Sequence, residues 1–432
     1  MGINNDILTN VLKSFEVDRE NMLRIAGLFK DTMESGLKGE KTCLKMLPSY
    51  IGKPTGQEKG VFMTMDMGGT NLRCTKFKIE NGNFEKLGEI KEKLINKEKN
   101  FDLTKAEITA DKLFGFMAEC MESITEPGES MYLGNTFSFP CRQEGINEAY
   151  LIHWTKEIAT SGVEGQNINK LLADALKARN INIEPVAVLN DTVGTLLVAM
   201  YSYQEADVGS IMGTGHNTCY LENNHPLNGG KMIVNLESGN YNIGLPVTKY
   251  DEVIDKNSQM PGLQLLEKMV SGYYMGSLVK EVCKDLHNSK VIFTSSASDI
   301  DTFFNQNFNA LMVENFILYP SKTSEQYNCT MEDAEIIKAV SQAILKRTVR
   351  LVAASYLGIL FHQENNGHRI NNKHIIAIDG TIYEKMPKAP QLMEETFAEV
   401  LGKDAENIGI RLVKDGSGLG AAIAAAVATT QK

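Results

Sequence analysis

Tryptophan is the scarcest residue of this 432-residue chain, since Trp154 is the only one, and aromatic residues make up only 7% of the sequence. The formal net charge of −10 leaves no broad basic surface, so nucleic acid is not expected as a partner. Seven scattered cysteines form no C-x-x-C pair, so they indicate neither a zinc site nor a disulfide framework. Reduced thiols of this kind are typical of cytosolic proteins.

The sequence also lacks a long apolar run. Its N-terminal segment has no signal core, and Asp6 stands where a myristoylation motif has Ser or Thr. The most apolar C-terminal stretch, 421–428, is too short to span a bilayer. We therefore expect a cytoplasmic protein with no membrane partner, and the length predicts two or three domains.

Strand and helix patterns alternate along both halves of the chain, without a Walker-type loop or a short repeat. Strands are predicted over 61–67, 72–79, 131–139, 186–189, 208–212, 375–378 and 409–413. Helices are predicted over 17–37, 111–121, 167–178, 263–279 and 334–361, with a helix capped by Thr192 running to Met200 and an alanine-rich helix at the end. The shared order of strand, glycine turn and helix predicts an α/β fold of two duplicated lobes around a cleft.

Glycine-centred turns follow several of the predicted strands. The first is Asp66-Met67-Gly68-Gly69-Thr70-Asn71, and the second is Gly213-Thr214-Gly215. Backbone amides in such turns can hold phosphates, with hydroxyl and amide side chains as further donors. Each turn alone is also compatible with an ordinary hairpin or helix cap, so the indication comes from their occurrence together.

Asp191 lies between the two glycine turns, at a predicted transition from strand to helix. Ligands of open α/β sheets bind at that edge, and a carboxylate there could accept the proton of an attacking hydroxyl. An acid stabilised by the helix dipole is the alternative interpretation.

A further set of polar residues could bind a polyol, because buried hydroxyl groups need dense, mixed hydrogen bonding. Each member alone also fits a surface or capping position. The set is Ser138, Thr155, Lys156, Asn190, Asn217, Glu237, Gln264 and Glu267.

From about residue 17 to residue 426 the chain resembles the eukaryotic-type hexokinases of the actin-like sugar kinase superfamily. The motifs that carry the resemblance are Met-Leu-Pro-Ser-Tyr (46–50), Met-Asp-Met-Gly-Gly-Thr-Asn-Leu-Arg (65–73), Thr-Phe-Ser-Phe-Pro-Cys (136–141), His-Trp-Thr-Lys (153–156), Leu-Asn-Asp-Thr-Val-Gly-Thr-Leu (189–196), Gly-Thr-Gly-His-Asn (213–217), Pro-Gly-Leu-Gln-Leu-Leu-Glu-Lys-Met (261–269), Asp-Gly-Thr-Ile-Tyr (379–383) and Asp-Gly-Ser-Gly-Leu-Gly-Ala-Ala (415–422).

The resemblance implies an ATP- and Mg²⁺-dependent hexokinase of glycolysis, with glucose or a related hexose as partner. Asp191 would be the catalytic base, Lys156 and Arg73 would offset charge on the phosphoryl group, and the polyol set would contact the sugar. The nucleotide side would comprise Asp66 (holding Mg²⁺ through water), Gly68, Gly69, Thr70, Asn71, Arg73, Gly213, Thr214, Gly380, Thr381, Gly416 and Ser417.

The implied fold is α/β, with two actin-like (ribonuclease H-like) lobes closing over the ligand. The small lobe would comprise 61–189 with the final helix, 418–432, and the large lobe 1–60 and 190–417. A monomer or homodimer is expected.

Two local departures from the family pattern, Glu157-Ile158 and Ser238, leave the preferred hexose open. Two other classes also remain open: an actin- or chaperone-like protein driven by nucleotide, and a sugar sensor without turnover.

Overall fold

A computed structural model describes residues 2–96, 98, 101–154, 158–294 and 300–430, with the backbone alone for 2–5. In the first half, the strands are β1 (Leu47–Pro48), β2 (Gly60–Met67), β3 (Asn71–Glu80), β4 (Asn83–Lys93), β5 (Ile95–Asn96), β6 (Phe101–Asp102), β7 (Ser130–Phe137), β8 (Cys141–Gly145), β9 (Glu148–Leu151) and β10 (Asn182–Leu189). The helices there are α1 (Gly2–Lys13), α2 (Arg19–Leu37), α3 (Ala110–Glu122), α4 (Ile168–Ala178) and α5 (Asp191–Ser202).

The second half contains the strands β11 (Ala206–Met212), β12 (His216–Glu222), β13 (Met232–Asn235), β14 (His374–Asp379) and β15 (Ile408–Leu412). Its helices are α6 (Lys249–Lys256), α7 (Leu265–Val270), α8 (Gly272–Asn288), α9 (Ile300–Phe304), α10 (Ala310–Leu318), α11 (Pro320–Gln326), α12 (Met331–Asn365), α13 (Thr381–Lys385), α14 (Ala389–Leu401) and α15 (Gly416–Thr430). Short 3₁₀ helices cover Ser238–Asn240 and Gly402–Asn407.

Two mixed sheets organise the chain. One has the order β10-β7-β2-β3-β4, and the other has the order β1-β13-β12-β11-β14-β15. In each sheet, hydrogen-bonded parallel strands are combined with an antiparallel hairpin, β2–β3 in one and β11–β12 in the other. The repeated arrangement follows from the pattern of strand, glycine turn and helix in both halves of the sequence.

The helices α5 and α15 pack against each other through glycine. A Cβ atom on Gly420 would lie 2.3 Å from the Cα of Gly194, so this approach requires glycine. Both helices belong to a core of small and aliphatic side chains that also includes residues of both sheets. On the other side of the second sheet, α12 packs on α2, and the fully buried Arg347 forms a two-pronged ion pair with Asp251, at 2.7 and 2.8 Å.

Several predicted element limits are corrected. Asn190 caps α5, because its side chain accepts a hydrogen bond from the amide of Thr192, so the prediction that Thr192 is the cap was wrong. The helix predicted over 263–279 is interrupted at Ser271, whose extended backbone separates α7 from α8. The final helix begins at Gly416 rather than at 418. The lobe limits themselves stay a prediction.

No helix within the described residues has the length and apolar character that a membrane crossing requires.

Candidate active site

The ends of three parallel strands bring the first group of predicted residues together. In the strand register, Thr136 of β7 pairs with both Asp66 of β2 and Leu189 of β10. Parallel strands end at the same edge of a sheet, so the turn after β2, Ser138 after β7 and Asn190 after β10 all lie along that edge. The sequence placed the first glycine turn and Asp191 at strand ends, but it put Ser138 inside a strand predicted over 131–139, which ends at Phe137. The register shows that the three strand ends are neighbours.

The first glycine turn is a tight hairpin between β2 and β3. The amide of Gly68 donates to the carbonyl of Asn71 at 3.0 Å, and the side chain of Asn71 donates to the hydroxyl of Thr70 at 2.7 Å. Gly69 lies between them in the turn. The turn borders a cavity of about 380 Å³, which is lined by Asp66, Gly68, Asn71, Leu72, Arg73 and Lys91.

Arg73 extends from β3 between two carboxylates. Its guanidinium nitrogens lie 3.1 Å from Asp66 Oδ2 and 2.6 Å from Asp415 Oδ1. Burial lowers the pKa of Arg73, but the charges of Asp415 and Asp66 outweigh burial and raise it. The guanidinium is therefore held as a fixed cation beside the cavity.

The second glycine turn lies against the end of β14. A Cβ atom on Gly380 would meet the carbonyl oxygen of Met212 at 2.4 Å and the amide nitrogen of Gly213 at 2.7 Å, so only glycine permits this approach. Thr214 accepts a hydrogen bond at its carbonyl from the amide of Tyr273 in α8, at 3.1 Å. Thr381 begins α13 directly after Gly380.

The start of α15 lies beside the end of β14. The amide of Gly416 lies 3.4 Å from Asp379 Oδ2, and Ser417 accepts a hydrogen bond at its carbonyl from Thr136 Oγ1 at 2.9 Å. Burial raises the pKa of Asp379, and the neighbouring charge of Asp415 adds to the effect. Sequence reasoning did not select Asp379 and Asp415 as site residues, although both open glycine motifs that it identified.

The polyol set has its centre at Asn217. Its amide nitrogen donates to Asn190 Oδ1 at 3.3 Å and lies 3.5 Å from Glu237 Oε1. The backbone at Glu237 is left-handed, with φ of 53°, which turns the chain back toward this centre. Glu267 lies beside them, because its Oε2 accepts a hydrogen bond from the amide of His216 at 3.2 Å.

The remaining members of the polyol set are placed by their elements. Ser138 follows β7, and Gln264 precedes α7 in a left-handed conformation with φ of 54°. Thr155 and Lys156 lie outside the described residues, so their predicted roles stay predictions.

Sequence reasoning missed Asn235, which joins this group from the end of β13. It is 5% exposed, accepts a hydrogen bond from Asn217 Nδ2 at 2.9 Å and donates one to Glu237 Oε1 at 2.8 Å. A polar residue at the end of the apolar run Met232–Asn235, two positions before Glu237, was the available signal.

The first turn of α5, which begins with Asp191, contacts the polyol set through the preceding Asn190 and the start of α15 through Thr195. Asp191 is the first residue of α5, directly after Asn190, and its carboxylate accepts a hydrogen bond from the amide of Thr192 at 2.9 Å. Its carbonyl accepts the hydroxyl of Thr195 at 3.0 Å, and a Cβ on Gly416 would lie 2.4 Å from that same hydroxyl. The first turn of α5 therefore connects the polar cluster to the start of α15.

Comparison with known proteins identifies the family to which the chain is similar. Two family models, both described as hexokinase, match residues 7–201 and 207–427. Hexokinase-3 of Mus musculus is 30% identical over 98% of this chain, which spans 47% of that relative. Hexokinase-1 of Schizosaccharomyces pombe is 31% identical over 98% of this chain and 90% of the relative.

A solved hexokinase from Schistosoma mansoni complexed with glucose has a similar fold, with a TM-score of 0.79. It is 30% identical, and the match covers 98% of each chain. The predicted two-lobe α/β fold is confirmed by this similarity.

Proposed function

Because the chain belongs to the hexokinase family, we propose that it transfers the γ-phosphoryl group of MgATP to the 6-hydroxyl of glucose or a related hexose. One observation carries the proposal: the first turn of α5, which begins with Asp191, adjoins the polar cluster around Asn217 on one side and the start of α15 at Gly416 on the other. A base there would lie between the hydroxyl that accepts the phosphoryl group and the nucleotide that donates it.

In this proposal, the polar cluster holds the sugar. Asn190, Asn217, Glu237 and Glu267 provide amide donors and carboxylate acceptors for several hydroxyl groups, together with Ser138, Gln264, Thr155 and Lys156. The mixture suits a hexose, because each buried hydroxyl then has a partner.

The nucleotide is assigned to the glycine turns. The turn 68–71, with its cavity of about 380 Å³, would receive the transferring phosphate. The rest of ATP would be bound by Gly213, Thr214, Gly380, Thr381, Gly416 and Ser417. Asp66 offers carboxylate oxygens at this cavity and would hold Mg²⁺ through water, since oxygen donors suit that ion. The ion would neutralise phosphate charge.

The chemical step is an in-line displacement. The 6-hydroxyl oxygen bonds to the γ-phosphorus while the bond to the β,γ-bridging oxygen breaks, and ADP leaves. Asp191 takes the hydroxyl proton, and Arg73 and Lys156 stabilise charge on the phosphoryl oxygens. Closure of a small lobe (61–189 with the final helix) on a large lobe (1–60 and 190–417) would exclude water as a competing acceptor. A cytoplasmic monomer or homodimer completes the proposal.

A coupled phosphorylation assay tests the function, with glucose, mannose, fructose, glucosamine and galactose as acceptors and ATP or pyrophosphate as donor. We expect product only with a hexose, a donor and Mg²⁺. ATP turnover unchanged by hexose would instead indicate an actin- or chaperone-like protein. Hexose binding without turnover would indicate a sensor.

A further inference from the structure

A group of potential metal ligands lies at the N-terminal ends of β11 and β14, in the six-stranded sheet. Asp207 is at the start of β11 and His374 at the start of β14, whereas the glycine turns that begin with Gly213 and Gly380 follow the other ends of these parallel strands. Five strand residues separate the two ends, which corresponds to about 16 Å. This group is therefore distinct from the candidate active site.

The group consists of Asp207, His368 and His374. His374 Nδ1 lies 2.6 Å from Asp207 Oδ2, and His368 Nε2 lies 3.5 Å from the same oxygen. One ligand atom from each residue lies within 4.8 Å of the other two. The imidazole rings meet edge to face, with centroids 4.5 Å apart.

The backbone directs Asp207 toward the histidines. The pairing between β11 and β14 shifts between Ala206 and Val208, so Asp207 is the extra residue of a bulge. Bulges redirect side chains and are frequent beside functional sites. The side chain of Asp207 is 8% exposed, and among the described residues its Oδ1 has no hydrogen-bond partner.

A carbonyl fixes the orientation of His374. Its Nε2 lies 3.1 Å from the carbonyl oxygen of Arg369, so the ring can keep a proton on Nε2 when Nδ1 gives up its own proton and binds a metal. Histidines that bind metal usually donate their other ring N–H to such an acceptor. The 35% exposure of His368 leaves a path from solvent to a group whose other two members are buried.

We propose that Asp207, His368 and His374 form a binding site for a divalent transition-metal cation, with Zn²⁺ as the fitting ion. Two imidazoles and one carboxylate are a common zinc donor set, with water as the fourth ligand. Ligands around a tetrahedral zinc lie about 3.3 Å apart, so the His368–Asp207 separation already suits the ion. His374 and Asp207 would move apart, with Oδ1 able to take part.

A buried ion pair is the competing explanation of the same contacts. Burial lowers the pKa of His374, but its hydrogen bond to Asp207 outweighs burial and raises it. Without a metal, Nδ1–H of His374 would donate to Asp207 Oδ2. The two explanations differ in whether Zn²⁺ binds and in whether His368 matters for the binding.

The test is Zn²⁺ binding to the full chain, measured by equilibrium dialysis and by the midpoint of thermal unfolding. Because thiols also bind zinc, the partly exposed Cys43, Cys141 and Cys329 are first alkylated. His368→Ala and Asp207→Asn remove proposed ligands, and His153→Ala removes an exposed histidine elsewhere as the matched control. Circular dichroism of the metal-free variants establishes that they fold.

We expect one Zn²⁺ per chain in the wild type and in His153→Ala, with a higher unfolding midpoint when the ion is bound. Affinity should fall at least about 10-fold in His368→Ala and Asp207→Asn, and the stabilisation should disappear. Wild-type protein that binds no Zn²⁺, or variants that bind it equally well, would overturn the proposal and leave the buried ion pair.

Discussion

Arg73 Nη1 lies 2.6 Å from Asp415 Oδ1, so a side chain of the first glycine hairpin is paired with the residue that precedes α15. The same guanidinium contacts Asp66, whose strand ends at the cavity. Neither partner is adjacent to Arg73 in sequence. The contact joins two motifs that are 342 positions apart (415 − 73), and it holds a cation where the proposed phosphoryl group would arrive.

The first prediction concerns this cation. Arg73→Gln should lower kcat by about 10²-fold, because removal of one preorganised donor to transition-state charge costs that order of magnitude. The KM for hexose should change little, since the polar cluster remains intact. Steady-state kinetics with each substrate varied in turn provides the measurement.

Lys76→Gln is the matched control for Arg73→Gln. Lys76 lies on the same strand and is less exposed than Arg73, but it pairs with Glu129 at 2.9 Å and does not line the cavity. A loss of kcat as large in Lys76→Gln as in Arg73→Gln would show that damage to β3, and not the missing cation, lowers the rate.

The second prediction concerns the base. Asp191→Asn should lower kcat by about 10²-fold or more with a modest loss of hexose affinity, because proton acceptance is needed in the transition state. Asp174→Asn, on the exposed face of α4, is the control. Near-normal turnover of Asp191→Asn would remove this residue from the proposed mechanism.

The third prediction concerns Asn235 as a positioning residue. Asn235→Ala removes hydrogen bonds to Asn217 and Glu237, each worth about 0.5–1.5 kcal/mol, so the KM for hexose should rise roughly 10-fold. The KM for ATP should stay within about twofold, because both side-chain partners of Asn235 belong to the polyol set. Equal changes in both constants would indicate a general structural role instead.

Periodicity and turn residues predict most of the sheet framework. The runs at 61–67 and 208–212 are each followed by glycine, and the strands β2 and β11 end where these runs end, at Met67 and Met212. The break between α7 and α8 was not predictable in this way, because apolar residues occur both before Ser271, as far as Val270, and after it, as at Met275. Backbone conformation at one residue decided it.

Contacts between distant segments explain what the sequence missed at the site. Asn235 reaches Asn217 through the pairing of β12 with β13, and Asp415 reaches Arg73 through contact between β3 and the start of α15. The zinc proposal is a second example, since a bulge and a loop carbonyl orient Asp207 and His374. Glycine motifs identify residues beside turns, whereas the partners of Asn235, Asp415 and Asp207 are set by contacts that no local pattern predicts.

The fourth prediction concerns the pH dependence of stability. His216 is buried, donates from Nδ1 to the carbonyl of Ile211 at 3.1 Å, and has its pKa lowered to about 4 by burial. The unfolded chain takes up this proton near pH 6.5, whereas the folded chain does so only near pH 4. Stability from neutral His216 is therefore complete above pH 6.5 and is lost as pH falls toward 4.

Denaturant unfolding between pH 4 and 8 measures this effect. In His216→Gln the fall in unfolding free energy with acidification should be smaller than in the wild type, by up to about 3 kcal/mol at the acid end. His153→Gln, an exposed histidine, should retain the wild-type dependence. Identical curves for His216→Gln and the wild type would contradict the assigned pKa.

The last prediction uses Trp154, the single tryptophan. Its ring contacts Phe137 and Phe139, with centroids 6.0 and 5.0 Å away, and these two residues flank Ser138 of the proposed sugar site. Its Nε1–H donates to the carbonyl of Thr160 at 2.8 Å. If lobes close on the sugar, the packing and hydration of this ring should change, and its emission has no second tryptophan to dilute it. Glucose alone, without nucleotide, should therefore shift the emission saturably.

The same titration in Asp191→Ala separates closure from a nonspecific effect of sugar. A hydrogen bond from the sugar to a charged acceptor contributes about 1.5–3 kcal/mol, so its loss should raise the half-saturating glucose concentration about 10-fold or more. Galactose or another hexose that the coupled assay finds unphosphorylated serves as the negative ligand. A flat titration with every phosphorylated hexose would show that the ring does not respond to sugar. Trp154 contacts the two phenylalanines that flank Ser138, so sugar bound at Ser138 should be detected by one of the two methods, emission or calorimetry. If calorimetry also detected no hexose binding, the proposed sugar site would be wrong.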